Sequence, residues 1–300
     1  MAKITMLDGG MGRELKRIGA PFGQPEWSAL ALMEAPEKVL EAHNNFLASG
    51  SDIITTNAYA VVPFHIGEAA FKARGAELIA LAGSLAREAA AAAGRPVKVA
   101  GSLPPVLGSY NPEGFDTTVA GPVIDVLIEN QRAYVDCWLI ETTSSVDEAL
   151  FTLSKLAEED KPVWLSLTLT DREDDDAPCT LRSGEPVEEA IAKVVDVVDI
   201  DALLFNCSPP EEMETAITIA RSIAKSRGVE LKIGAYANAF TRIAKGHKAN
   251  ETVTDLREEL TPERYASFAE KWAAAGATLI GGCCGIGPDH IKCMRTAFEE

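Results

Sequence analysis

The stretch ALLFNCSPPEEM (Ala202–Met213) contains the unit from which this fold is built. It begins with an apolar, β-prone run, reaches the polar pair Asn206 and Cys207, and then passes through Pro209 and Pro210. Proline is favoured in the first turn of a helix, where its missing N–H is not needed. The stretch therefore predicts a buried strand, a polar strand end and a helix that follows at once.

The same unit recurs along the whole chain. Near-continuous apolar runs are typical of parallel strands buried on both faces, and eight such runs occur, at residues 4–8, 52–57, 97–102, 137–141, 163–169, 202–207, 231–236 and 277–282. Segments rich in Ala, Glu and Lys predict helices between most of them, for example at 36–49, 68–93, 146–159, 186–196, 209–226 and 262–275. Eight such units predict an α/β fold, a (β/α)8 TIM barrel that forms a single domain over residues 1–300. A doubly wound open sheet is the alternative.

Composition narrows the classes of partner. The chain has 28 basic and 45 acidic residues and a formal net charge of −17, so like charge disfavours nucleic acid and anionic membranes. No stretch approaches a membrane span and the N-terminus lacks the apolar run of a signal peptide, which predicts a cytoplasmic protein. In this setting six cysteines do not indicate a disulfide framework. Three of them are interpreted as packing residues: Cys137, Cys179 and Cys293.

Polar residues stand where the predicted strands end. In a TIM barrel the chemistry gathers at the C-terminal ends of the strands, so these residues are candidates for one common site. They are Asp8, Asn57, Ser102, Glu141, Thr168, Asn206, Cys207, Tyr236, Asn238, Cys283 and Cys284. After the seventh of these strands, residues 238–260 form a long predicted connection.

The remaining three cysteines fall at the ends of only two strands. Cys207 follows the sixth strand, and Cys283 and Cys284 follow the eighth, so a barrel would bring their sulfurs together. Three thiolates with an open fourth position form a reactive tetrahedral zinc site. Neighbouring glycines give the backbone the freedom to turn both sulfurs toward one ion: Gly281, Gly282 and Gly285. Buried packing thiols and a strained vicinal disulfide are the alternatives.

Zinc held by three thiolates has two possible uses. It can bind a substrate thiol as its fourth ligand and favour the thiolate, or it can activate water for hydrolysis. Three thiolates place much negative charge on the ion and make it a weak Lewis acid, which favours thiol activation. The sequence also offers no obvious histidine base beside these cysteines.

Five motifs, in order along the chain, resemble the zinc-dependent homocysteine S-methyltransferases. They are LDGGMGRELKRIG (7–19), SDIITTNAY (51–59), ET (141–142), FNCSPPEEM (205–213) and IGGCCGIGPDHI (280–291). The family fold is a (β/α)8 barrel. The resemblance implies that Zn²⁺ is bound by Cys207, Cys283 and Cys284, with Asn238 as an oxygen ligand while no substrate is present.

The resemblance also implies substrate-binding roles. Asp8, Gly9 and Glu141 match positions that hold the amino and carboxylate groups of homocysteine, and we place Asn57 with them. A carboxylate suits an ammonium group, and backbone N–H groups suit a carboxylate. Trp27 and Tyr59 fall near positions of aromatic donor-binding residues, whose faces suit an onium group. Ordinary packing is the alternative for these two.

Two loops on the donor side depart from the family pattern: SLPPVLGSYNPEG (102–114) and YANAFTRIAKGHKAN (236–250). As a whole, the resemblance implies methyl transfer to homocysteine, giving methionine. S-methylmethionine or S-adenosylmethionine is favoured as the methyl donor. A betaine-type donor, or a homocysteine-binding subunit of a split, corrinoid-dependent methionine synthase with a separate corrinoid protein as partner, is the alternative. A zinc hydrolase is a third hypothesis.

Overall fold

The computed structural model describes residues 3–172, 174, 177–242 and 254–299. Eight strands form one sheet in the order β1-β8-β7-β6-β5-β4-β3-β2, and all of the paired neighbours are parallel. The strands are β1 (Thr5–Met6), β2 (Ile53–Thr55), β3 (Lys98–Leu103), β4 (Cys137–Thr143), β5 (Val163–Leu167), β6 (Ala202–Asn206), β7 (Lys232–Ala237) and β8 (Leu279–Gly282). Each lies at a predicted position, and the predicted (β/α)8 barrel is confirmed in place of the doubly wound alternative.

Helices surround the sheet. They are α1 (Met11–Arg17), α2 (Ser28–Glu34), α3 (Pro36–Ala48), α4 (Pro63–Ile66), α5 (Glu68–Ala92), α6 (Thr117–Gln131), α7 (Val146–Lys155), α8 (Val187–Val195), α9 (Pro210–Arg227), α10 (Pro262–Ala275) and α11 (Pro288–Glu299). All six segments that the sequence picked out are helical. In the described part of the chain, no helix combines the length and the apolar character needed to cross a membrane. The predicted connection 238–260 extends into residues 243–253, which lie outside the described residues.

Three aspartates fasten strands together at the closed end of the barrel. Each stands one residue before an even-numbered strand and accepts a hydrogen bond from a backbone N–H of the strand before it, at 2.8 Å. The pairs are Asp52 with Met6, Asp136 with Val99 and Asp201 with Val163. Because β1 and β2 are the two ends of the strand order, the Asp52 contact helps to close the barrel.

Two apolar layers hold the barrel. The larger lies between the strands and the helices and includes Phe46, Trp138 and Trp272, which are fully buried. The smaller fills the barrel interior and includes Cys137 and Trp164, which agrees with the interpretation of Cys137 as a packing residue.

Candidate active site

The three strand-end cysteines meet at the open end of the barrel. The sulfurs of Cys207, Cys283 and Cys284 all lie within 4.8 Å of one another, and the Cys207–Cys284 Sγ–Sγ distance is 3.9 Å. Zinc–sulfur bonds of about 2.3 Å in a tetrahedron separate the sulfurs by about 3.8 Å. Within the described residues, this is the only group of three or more Cys, His, Asp or Glu side chains close enough to share an ion. Its donor set and spacing fit zinc.

Backbone contacts aim the loop after β8. The N–H of Cys283 donates to the carbonyl of Ala237 at 2.8 Å, and Gly285 adopts a φ of 87°, which favours glycine. The first loop lies directly against this one: a Cβ on Gly9 would stand 2.4 Å from the Ile286 carbonyl oxygen. Glycine is therefore required at Gly9 by close backbone approach, whereas the left-handed turn itself falls on Gly285.

Hydrogen bonding within the cysteine cluster shifts the pKa values of its three thiols. Hydrogen bonds from the thiols of Cys283 and Cys284 lower the pKa of the Cys207 thiol well below its ordinary value. The same contacts with Cys207 are the main reason why the pKa values of Cys283 and Cys284 are raised. These contacts favour negative charge on the Cys207 sulfur.

Sequence reasoning missed Tyr110, which contacts this sulfur. The Tyr110 hydroxyl, from the loop after β3, donates to Cys207 Sγ at 2.9 Å. The guanidinium of Arg182 lies over the Tyr110 ring, 4.8 Å from its centroid, and pairs with Asp171 at 2.7 Å. Tyr110 and Arg182 both lie in loops whose sequences have no helical or strand periodicity. The sequence therefore carried no signal for the contact between Tyr110 and Cys207 beyond the unusual composition of the 102–114 loop.

Two buried carboxyl groups line the same opening. Asp8 accepts hydrogen bonds from the backbone N–H and the hydroxyl of Thr55, at 2.7 and 3.2 Å, and Glu141 accepts one from Ser102 Oγ at 2.6 Å. Burial raises the pKa of Asp8 to about 7 and, with help from Asp8, that of Glu141 to about 8. Neither has a salt-bridge partner among the described side chains, so the pair offers a site for a cation supplied by a ligand.

A cavity of about 230 Å³ joins the cysteines to these carboxyls. Gly9 and Asn57 also line it, and the Asn57 amide donates to the Ser28 carbonyl at 3.1 Å. The aromatic residues Trp27 and Tyr59 line it as well, and the Tyr59 hydroxyl lies 2.6 Å from Ser109 Oγ. The cavity thus brings together every predicted substrate- and donor-binding residue.

Asn238 is placed differently. It is only 1% exposed, and its side-chain oxygen accepts a hydrogen bond from the backbone N–H of Phe240 at 3.2 Å. It is not among the described residues that line the cavity.

Backbone strain is concentrated around the cavity. Among the described residues, four that are not glycine have positive φ, namely Trp27, Tyr110, Thr142 and Cys207, and all four line it. Each such conformation costs about 1–3 kcal/mol and persists only when its surroundings hold it in place. Asn206 does so for Thr142, since its side chain accepts from the Thr142 N–H at 2.9 Å and donates to the Thr142 hydroxyl at 2.8 Å.

Comparison with known proteins decides the family. The sequence model described as homocysteine S-methyltransferase matches residues 5–298. The chain belongs to the homocysteine S-methyltransferase family. The five motifs that pointed to this family are thus confirmed. As a homocysteine S-methyltransferase, the protein is a transferase whose family acts on homocysteine with a methyl donor.

Similar proteins cover nearly the whole chain. A homocysteine S-methyltransferase of Escherichia coli (strain K12) is 28% identical over 97% of this chain and 94% of its own length. A selenocysteine methyltransferase of Astragalus bisulcatus is 27% identical over 97% of this chain and 91% of its own. The crystal structure of the E. coli homocysteine methyltransferase MmuM in its metallated form has a TM-score of 0.73 and 26% identity, over 98% and 96% of the two chains.

Proposed function

We propose that this homocysteine S-methyltransferase is zinc-dependent and transfers a methyl group from a small onium compound to homocysteine, giving methionine. The observation that carries the proposal is the trio of sulfurs within 4.8 Å, which lines one cavity with the buried carboxyls of Asp8 and Glu141. The family match over residues 5–298 supports our further proposal that the chain is one homocysteine-binding domain.

In this proposal Cys207, Cys283 and Cys284 hold the zinc ion. When bound, zinc favours the thiolate form of a substrate thiol at neutral pH. The similarity to the metallated form of the E. coli protein supports a bound metal. We retain Asn238 as a proposed oxygen ligand in the absence of substrate.

The amino-acid end of homocysteine would be held by complementary charge. Its ammonium group would lie against Asp8 and Glu141, whose ionised forms it stabilises. Its carboxylate would accept hydrogen bonds from the backbone N–H of Gly9 and from the guanidinium of Arg13. Arg13 is the only arginine or lysine among the described residues lining the cavity, and it donates to the Thr254 carbonyl at 3.1 Å. The thiol end would then point toward the cysteines, and Asn57 would border the site.

The donor is proposed to be S-methylmethionine or S-adenosylmethionine. The homocysteine sulfur attacks the methyl carbon, the carbon–sulfur bond of the sulfonium breaks, and its electron pair leaves with a neutral thioether, so no general acid is needed. The homocysteine thiol proton passes to solvent. Aromatic faces of Trp27 and Tyr59 in the cavity suit an onium methyl group, and the net charge of −17 favours the approach of a cation.

A single assay tests this function. Zinc-loaded protein is incubated with deuterium-labelled homocysteine and, separately, with S-methylmethionine, S-adenosylmethionine, betaine and a methyl-corrinoid protein. Mass spectrometry then distinguishes methionine made from homocysteine from methionine released by the donor. We expect labelled methionine with a sulfonium donor. Turnover only with the corrinoid protein would instead support a subunit of a split methionine synthase, and turnover only with betaine would support a betaine-type enzyme.

The relative that methylates selenocysteine motivates one further arm of the assay. Selenocysteine replaces homocysteine with the preferred donor, because a selenol can occupy the same position as a thiol. A protein that binds no zinc and methylates neither acceptor with any of the donors would contradict the proposal as a whole.

A further inference from the structure

We propose that Tyr110 is a positioning residue of the metal centre. Its hydroxyl holds Cys207 Sγ through a hydrogen bond, and this makes the ligand sulfur less reactive toward the methyl donor than the substrate sulfur. The inference rests on the proposed zinc site but not on the identity of the donor.

The Tyr110 hydroxyl lies within hydrogen-bonding distance of two atoms of Cys207. The Tyr110 hydroxyl lies 2.9 Å from Cys207 Sγ and 3.4 Å from the Cys207 carbonyl oxygen. The thiols of Cys207 and Cys284 also share a hydrogen bond, with their sulfurs 3.9 Å apart. Metal binding would remove the thiol protons of the cluster, since the ligands must be deprotonated. Tyr110 is then the remaining side-chain donor to Cys207 Sγ among the described residues.

A second loop fixes the tyrosine ring. Arg182 lies over the ring at 4.8 Å and is itself anchored by Asp171, and the two charged side chains are only 8% and 3% exposed. Arg182 comes from the connection between β5 and α8, whereas Tyr110 follows β3, so the ring is held from outside its own loop. A cation over an aromatic face also draws electron density from the ring, which makes the phenol a stronger donor.

The backbone conformation of Tyr110 indicates that the fold holds its side chain in this orientation. Tyr110 has a φ of 62°, a conformation that a bulky residue rarely adopts. Strain of this kind costs about 1–3 kcal/mol and is stored where a side chain must be held in one direction. Cys207, at the other end of the hydrogen bond, has a φ of 51°.

The contact has a chemical consequence. A methyl donor beside the cluster meets both the substrate sulfur and the ligand sulfurs, and each can in principle attack the methyl carbon. A hydrogen bond stabilises the lone pair of the Cys207 thiolate and makes it a weaker nucleophile. The new sulfur–methyl bond then forms on the substrate sulfur in preference to the Cys207 sulfur.

The test compares Tyr110→Phe with Tyr59→Phe, since both remove one hydroxyl from the same cavity but only Tyr110 bonds to sulfur. In cobalt-substituted protein, loss of the hydrogen bond raises the energy of the sulfur lone pair. The thiolate-to-cobalt charge-transfer band should therefore move to longer wavelength in Tyr110→Phe and stay in place in Tyr59→Phe. With methyl iodide as the probe, iodide leaves as the methyl group is transferred, and Cys207 should be methylated roughly 5- to 10-fold faster in Tyr110→Phe.

Neither readout requires turnover with a natural donor. An unshifted band together with an unchanged rate of Cys207 methylation would overturn the role of Tyr110 while leaving the proposed function intact. Wild-type protein that binds no cobalt would overturn the metal site and this inference with it. Circular dichroism and thermal melting of both variants confirm that the comparison is made between folded proteins.

Discussion

The carboxylate of Asp8 accepts a hydrogen bond from the backbone N–H of Thr55 at 2.7 Å. Asp8 follows β1 and Thr55 ends β2, so this contact joins the two ends of the strand order at the open end of the barrel. The same carboxylate lines the cavity beside the cysteines. One side chain thus takes part both in closing the barrel and in forming the proposed ammonium site.

Asp8→Asn separates these two contributions. The amide oxygen can still accept from Thr55, whereas the charge that would hold the ammonium group is lost. We expect the KM for homocysteine to rise roughly 10- to 100-fold, as for loss of a charged hydrogen bond, with a small change in melting temperature. Asp136→Asn is the matched control, because Asp136 makes a similar bond to the Val99 N–H at the closed end. A KM that moves equally in both variants would contradict the assignment.

Ligand binding should release protons near neutral pH. Burial raises the pKa of Asp8 to about 7 and of Glu141 to about 8, so both carboxyls are substantially protonated in the free protein at pH 7. An ammonium group favours their ionised forms and lowers both pKa values. Methionine carries the ammonium but no thiol, so its binding isolates this effect. Calorimetry in buffers of different ionisation enthalpy should show that methionine binding releases fewer protons in Glu141→Gln than in wild type. Identical proton release in the two proteins would exclude Glu141 from the ammonium site.

The same shift predicts how stability depends on pH. The ordinary pKa of a glutamate, 4.5, applies to the unfolded chain, so from about pH 4.5 to 8 the folded state binds the proton of Glu141 more tightly. Its contribution to stability is therefore fully present at low pH and is lost as the pH rises through 8. Thermal melts should show Glu141→Gln gaining stability relative to wild type between pH 5 and pH 8. A constant difference across that range would count against a raised pKa.

Removing single cysteines should separate ligands from packing residues. Serine at Cys207, Cys283 or Cys284 should lower zinc affinity by more than the roughly 10- to 100-fold that loss of an outer-shell partner costs. Cys293→Ser is the control, because this half-buried residue of α11 lies outside the cluster. Metal content after dialysis, measured by atomic emission, checks the result. Zinc retained by all three cluster variants would refute the proposed ligand set.

Close backbone approach makes Gly9 sensitive to a single methyl group. Alanine there would place its Cβ 2.4 Å from the Ile286 carbonyl oxygen, so the loop after β8 would have to move. We expect Gly9→Ala to lower the free energy of unfolding by about 1–3 kcal/mol, as overpacking does. Gly287→Ala, where no atom lies within 4 Å of the added Cβ, should change it little. Urea titration of both variants measures the difference, and equal midpoints would show that the loop adapts freely.

The strand-end rule found much of the site from the sequence. It selected Asp8, Glu141 and the three cysteines, which all line one cavity, and also Ser102, which donates to Glu141. The rule works because each residue follows a run whose period and apolar character are visible locally. Tyr110 and Arg182 were not found in this way, since each acts through a contact with a side chain from another loop.

What the sequence determined by itself is the barrel and the family. Eight apolar runs with polar ends dictate parallel strands, and five ordered motifs identify the homocysteine S-methyltransferases. Only the tertiary structure decided that Cys207 meets Cys284 at 3.9 Å and that Tyr110 bonds to the Cys207 sulfur. The physical reason is the distance along the chain over which each property is set. The pattern of burial in a strand or helix is visible in neighbouring residues, whereas the reactivity of a sulfur depends on groups brought to it from strands and loops far apart in the chain.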